Sequence, residues 1–339
     1  MVNISSISVV IPSRNEGHRL VDTIKCLLAV DPGSNVSVDE IIVVDDSSAD
    51  ESSDLSISDG RVQVVRNSAR EGISRSRNRG ARISTGNVIV WCDAHTKVHQ
   101  GWGSGLVNAL NSGMDVGAVS PGIAPDDGNG RTGFGWTWEA GDPAMVRKWL
   151  PRPSVDSSVD VPLLPGGFIA TPREVFERTG GFDEGLGWFG DEDAEFSLRL
   201  WSIGLRCVVA PEVVVEHFFK DPSQQGDDEL AMLVFNKLRL AHIYLPTWYA
   251  MRVFDFLRDF AAFPKALSLF MSSDSFDRGR LVSRERVREA EWFWKRFGLS
   301  NAFAKKDSSP AEISSELSLQ QAQWRQSSSL PKRGSALLQ

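Results

Sequence analysis

Cysteine is scarce in this chain: Cys26, Cys92 and Cys207 stand far apart among 339 residues, with no CxxC pair. That pattern excludes a disulfide framework and a zinc site built on paired thiolates, and it fits a reducing compartment. Long apolar runs are missing too. No stretch reaches the about 18 uninterrupted apolar residues of a membrane span, and the start "MVNISSISVV" has no basic region followed by a long apolar segment. The expectation is a soluble, cytoplasmic protein without a transmembrane segment, with peripheral membrane contact left open. Positive charge is not in excess either. With 37 Lys and Arg against 44 Asp and Glu, the formal net charge is -7, which argues against nucleic acid as a partner and for something small, or another protein.

What is present is a core. Hydrophobic residues make up 41% of the chain, and short β-branched runs alternate with helix-length segments: "ISVVIP" (Ile7–Pro12), "EIIVVDD" (Glu40–Asp46), "VQVVR" (Val62–Arg66), "VIVWC" (Val88–Cys92) and "VGAVS" (Val116–Ser120). These runs are apolar on both faces, as in a parallel sheet covered by helices on each side. Between the first two, Leu20, Ile24, Leu27 and Leu28 form one helical stripe. The fold class expected is α/β.

Ligands of such sheets bind beyond the carboxyl ends of the strands, and those ends carry "PSRNE" at 12–16, "DDSS" at 45–48 and "DAH" at 93–95. Residues of about 124–165, rich in Gly, Pro, Asp and Trp, read as irregular loops. "FGDEDAEFSLRLWSIG" (Phe189–Gly204) reads as a helix with an acidic first turn and a glycine stop. Segments 228–245, 247–270 and 283–298 also look helical, and 301–339 is a polar, serine-rich tail expected to be disordered.

Residues i and i+2 of an extended segment project to the same side, so Asp93 and His95 can converge on one ion. A carboxylate with an imidazole suits a borderline divalent cation. The competing reading is an Asp capping the next helix beside a hydrogen-bonded His. The same ambiguity attends Asp45-Asp46, a nucleotide seat or a helix cap, and Arg75, Arg77, Arg79 and Arg82, a basic binding face or plain solvation.

Taken together, "REGISRSRNRGARISTGNVIVWCDAHTKV" (Arg70–Val98), "GFGWTWE" (Gly133–Glu139), "LPGGFIAT" (Leu164–Thr171), "WFGDEDAEFSLRLW" (Trp188–Trp201) and "VEHFFK" (Val215–Lys220) resemble, in order, the catalytic domain of polypeptide N-acetylgalactosaminyltransferases. Those enzymes have the GT-A glycosyltransferase fold. The resemblance implies that Asp93, His95 and His217 hold a cation, Mn²⁺ first, against the diphosphate of a UDP-sugar. It places Pro12, Asp45, Asp46, Arg70, Gly166 and Gly167 at the nucleotide sugar, and Glu192 at the sugar. Arg14 stands where the family has a histidine and gains no role. Asp193 stands where the family has Asn, while inverting GT-A enzymes have a general-base Asp there; stereochemistry stays open.

The expected organisation is a GT-A catalytic domain at 5–222, split into a nucleotide-binding half (5–120) and a sugar and acceptor half (121–222), then a helical extension at 223–300. The expected function is metal-dependent transfer of a hexose or N-acetylhexosamine from a UDP-sugar to a hydroxyl or thiol. The acceptor is Ser/Thr of a peptide, a cell-surface polysaccharide intermediate or a small molecule. A non-catalytic nucleotide-sugar-binding protein is the alternative of another class. Neither the membrane anchor nor the lectin domain of the resembled enzymes is expected.

Overall fold

A computed structural model describes residues 5–54, 57–128, 130–139, 141–220 and 227–299. The tail expected at 301–339 lies outside the described residues. Along the chain run β1 (Ser5–Ser13), α1 (His18–Ala29), β2 (Val36–Asp45), β3 (Val62–Arg66), α2 (Ile73–Ile83), β4 (Val88–Cys92), β5 (Thr96–Lys97), α3 (Trp102–Leu110) and β6 (Val116–Pro125). Then come β7 (Trp136–Trp138), β8 (Arg147–Trp149), β9 (Val159–Asp160), β10 (Phe168–Pro172), α4 (Arg173–Thr179), α5 (Glu192–Ser202) and β11 (Arg206–His217). Helices α6 (Asp227–Tyr244), α7 (Thr247–Leu257), α8 (Phe263–Ser272), α9 (Ser275–Glu285) and α10 (Ala290–Arg296) follow.

The five apolar runs all become strands of one nine-stranded sheet, in the order β3-β2-β1-β4-β10-β6-β11-β5 with β9 on β11. The sheet is mixed, where the doubly apolar runs alone suggested a parallel one. Strands β1, β2, β3 and β4 pair in parallel, as do β6 and β11, but β10 is inserted antiparallel between β4 and β6. Its direction matters for the site. Phe168, at the start of β10, pairs with Cys92 at the end of β4, so Gly166 and Gly167 arrive at the edge where β4 delivers Asp93.

Helices cover both faces, which is why the strands need no polar side. On one face Leu20, Ile24 and Leu27 of α1 and Trp102 and Leu106 of α3 pack on Ile7, Val9, Ile11 and Val90. On the other, Val10, Ile89 and Trp91 meet Phe196 and Leu200 of α5, in the same continuous cluster as Leu238 of α6, Tyr249 of α7, Phe270 of α8 and Trp294 of α10. The late helices thus share the core of the sheet.

Three details differ from the sequence reading, the first being that 283–298 is not one helix, since α9 ends at Glu285 and α10 begins at Ala290. The segment 247–270 breaks at 258–262, because Pro264 has no N–H to give a helix interior and sits instead in the first turn of α8. Residues 124–165 are not wholly irregular: β7 and β8 form an antiparallel hairpin in which Trp136 packs on Trp149, their ring centres 4.9 Å apart. Strands of three residues carry too little periodicity to be seen among glycines and prolines.

Candidate active site

Asp93 leaves the end of β4 and His95 follows two residues on, while His217 ends β11, paired with Thr96 of β5. One potential ligand atom from each of Asp93, His95 and His217 lies within 4.8 Å of the others. Nε2 of His217 is 3.2 Å from Oδ2 of Asp93, and Nδ1 of His95 is 3.0 Å from Oε2 of Glu16, which leaves Nε2 of His95 for the cluster. Lys220 in turn pairs with Glu16. Burial alone would raise the Asp93 carboxyl, but the hydrogen bond with His217 and the charge of Arg77 hold it well below the usual range.

These residues suit a divalent cation. A carboxylate and two imidazoles are a donor set for Mn²⁺ or Zn²⁺. Nδ1 of His217 is buried without a described hydrogen-bond partner, so the one described hydrogen bond of that ring is to the carboxylate with which it would share an ion. Gly167 keeps the approach open: a Cβ there would lie 2.8 Å from Cδ2 of His217, too close for any side chain.

Arg77 of α2 ties this cluster to the next. Its guanidinium meets Asp93 Oδ1 at 2.9 Å, Glu192 Oε1 at 3.1 Å and the Gly166 carbonyl at 2.7 Å, with the side chain 1% exposed. Glu192 opens α5, and burial, then the neighbouring Asp193 charge, raise its pKa. Asp193 is held on both oxygens. Oδ1 accepts from the Ala194 amide at 2.7 Å and meets Arg147 at 2.8 Å, and Oδ2 accepts from the Gly166 amide at 3.0 Å. Arg147 also reaches Asp191 at 2.9 Å and lies over Trp136.

A cavity of about 620 Å³ joins these groups, lined by Asp93, His217, Gly166, Gly167, Glu192 and Asp193, with Arg77, Arg147, Lys220 and Lys237 as cations and Trp136, Trp149, Phe189 and Phe219 as aromatic walls. Of the other residues expected at the nucleotide sugar, Pro12, Asp45, Asp46 and Arg70 do not line this cavity. Asp46 accepts from the Asn67 side chain at 2.8 Å, the Glu71 amide at 2.7 Å and the Gly72 amide at 2.9 Å, so its carboxylate holds the turn into α2. Asp45 accepts from the Ser48 amide at 2.9 Å and pairs with Arg66. Pro12 is buried in β1 opposite Val44. Arg70 stacks over Trp188 and pairs with Glu229 of α6 at 2.9 Å.

Sequence reasoning missed Arg147 and Lys237, and it did not separate Arg77 from its neighbours. Arg75 and Arg82 of the same helix are exposed. Of the tryptophans, Trp136 lines the cavity, whereas Trp138 is buried and stacked on Trp294. His99 is exposed beside Glu216, and His242 packs between Phe270 and Phe276.

Comparison with known proteins bears on the family and the fold. A family model described as glycosyl transferase family 2 matches residues 8–180, just over half of the chain, and one described as the N-terminal domain of galactosyltransferase matches residues 153–220. Polypeptide N-acetylgalactosaminyltransferase 11 of Xenopus tropicalis is 30% identical over 297 residues, covering 77% of this chain and 47% of its own. The inactive polypeptide N-acetylgalactosaminyltransferase-like protein 5 of Macaca fascicularis is 28% identical, covering 70% of this chain and 57% of its own. The chain spans about half the length of the curated relatives it matches. A crystal structure of GalNAc-T7 with UDP, GalNAc and Mn²⁺ has the same GT-A fold, with a TM-score of 0.67 and 23% identity over 88% of this chain and 57% of that one. Among the described residues no helix is long and apolar enough to cross a membrane.

Proposed function

The chain belongs to glycosyl transferase family 2, and from that premise we propose that it moves a hexose or N-acetylhexosamine from a UDP-sugar to a hydroxyl or thiol acceptor, with Mn²⁺ or another divalent cation at the diphosphate. The observation that carries this reading is the cluster of Asp93, His95 and His217 at one end of a cavity whose wall continues through Gly166, Gly167 and Glu192. Asp93, His95 and His217 would hold the cation, which would supply neutralisation of the charge on a departing diphosphate. The residues themselves do the rest. Gly166 and Gly167 let the sugar lie against backbone, Glu192 accepts its hydroxyls, and Arg77 keeps Asp93 and Glu192 side by side as carboxylates.

We assign Asp193 the part of a strut. A general base needs a lone pair toward the acceptor, whereas Oδ1 here already has the Ala194 amide and Arg147, and Oδ2 has the Gly166 amide at 3.0 Å with Arg147 at 3.5 Å. The names of the relatives support a polypeptide as acceptor, of which Ser/Thr is the part the sequence resemblance implies; a polysaccharide intermediate or a small molecule is the other choice. The three unpaired thiols, Cys26, Cys92 and Cys207, support a reducing, cytoplasmic setting. A binding protein without turnover has a precedent in the inactive relative, but the ion cluster here is intact.

The test is a screen of UDP-sugars with Mn²⁺, read by mass spectrometry for released UDP and for any peptide or glycan that gains sugar mass. Asp93→Ala and His217→Ala are expected to abolish metal-dependent donor cleavage while the circular dichroism spectrum is retained. Full activity in either variant removes that residue from the ion site, and a wild type that binds no nucleotide sugar with the cation present ends the reading.

A further inference from the structure

Helix α6 brings an ammonium into the cavity from outside the sheet. Lys237 lines it beside Asp191, Glu192 and Phe189, with a side chain only 4% exposed. Among the described residues this ammonium has one partner, Asp191 Oδ2 at 3.6 Å, which is beyond hydrogen-bond length. Asp191 does not depend on it, since its other oxygen already meets Arg147 at 2.9 Å. A lysine ammonium carries three donors, and burying it without acceptors is costly. Burial lowers its pKa, and the charge of Arg147 adds to that against the opposing pull of Asp191.

The position is built. Asn236, the preceding residue, accepts from the Gly187 amide at 2.6 Å and donates to the carbonyls of Phe189 at 2.9 Å and Gly190 at 2.7 Å, so α6 and the loop before α5 are held in fixed relation. Asp191 itself sits in the left-handed region at φ 63°, which Asp adopts more readily than most residues with a side chain.

Resting on the sugar-transfer reading above, we propose that Lys237 contacts the substrate and sets donor specificity, donating to a hydroxyl or acetamido oxygen of the sugar that lies on Gly166, Gly167 and Glu192. Lysine 237 then completes its donors only when that sugar is bound.

Calorimetry in the presence of Mn²⁺, with UDP, UDP-GalNAc and UDP-glucose as probes, tests this on the wild type, Lys237→Met and Lys237→Arg. In Lys237→Met the ratio of UDP-sugar to UDP affinity should fall about tenfold for the preferred sugar, the scale of one hydrogen bond from a charged group. The affinities for Mn²⁺ and UDP should hold, and Lys237→Arg should recover part of the ratio. An unchanged ratio overturns the proposal, and so does a loss that falls equally on UDP, since that marks a structural lysine. An effect confined to the KM of the acceptor overturns it as well. If the wild type binds UDP but discriminates no UDP-sugar from it, the transfer reading itself fails and takes this proposal with it.

Discussion

Arg77 shows why some of the site was hidden from a residue-by-residue reading. The buried face of α2 is Ser74, Ser76, Arg77, Asn78, Gly80 and Ala81, so no apolar stripe marks which of four arginines turns inward; only contact with Asp93, Glu192 and Gly166 does so. The ion cluster was legible because strand ends fix direction and because a matched histidine follows at 217. Gly167 makes the clearest prediction at this scale. Gly167→Ala sets a methyl against the His217 ring, and Mn²⁺ affinity should drop roughly ten- to a hundredfold, as when the support of a metal ligand is disturbed. Titration followed by electron paramagnetic resonance reads it, and undiminished affinity would place the ion elsewhere. For Asp193, the strut role predicts that Asn, whose amide nitrogen must face one of the donors that the carboxylate accepted from, and Ala each cost about 1–3 kcal/mol of stability, with transfer falling in step. Single-turnover assays and thermal melts decide: severe loss in Asp193→Asn at an unchanged Tm would restore the general base.

Among elements, the strands that announced themselves were continuous β-branched runs, buried in β1, β2, β4 and β6 and partly exposed in the edge strand β3. Strand β10 escaped notice because "FIATP" is short and ends in proline, and β11 because Pro211 and Glu212 interrupt it, where its register on β6 also shifts. Both are indispensable to the cavity, one delivering Gly166 and Gly167 and the other His217. The pairing of α6 with the loop at 187–190 is equally invisible in sequence, since its hydrogen bonds come from one asparagine while Met232 and Leu233 pack against the loop glycines. Asn236→Ala removes all three bonds to that loop, and the expected result is a loss of about 1–3 kcal/mol in unfolding free energy together with a raised KM for the donor. A donor KM equal to that of the wild type would show that the loop keeps its place without α6.

For the whole molecule, the sequence suggested a boundary near residue 222 between a catalytic domain and an extension, yet Trp91 of the sheet and Leu238, Tyr249, Phe270 and Trp294 of the late helices belong to one core cluster. We propose that the helices are part of the catalytic unit. Each such buried side chain contributes about 1.5–3 kcal/mol, against a total stability of roughly 5–15 kcal/mol for a folded chain. A chain ending before α6 should therefore fail to fold, seen as insolubility or the absence of a cooperative melt, whereas a soluble, sharply melting product would establish an independent domain. The direction of β10 and the late position of β11 also order events in time. Asp93 and His217 meet across 124 positions of sequence, so during synthesis Asp93 and His95 emerge from the ribosome well before their third partner. Until β10 has threaded between β4 and β6 and β11 has docked beside β6, the growing chain offers an ion only two ligands. On the proposed ligand set, full coordination of an ion would therefore wait until the sheet has closed.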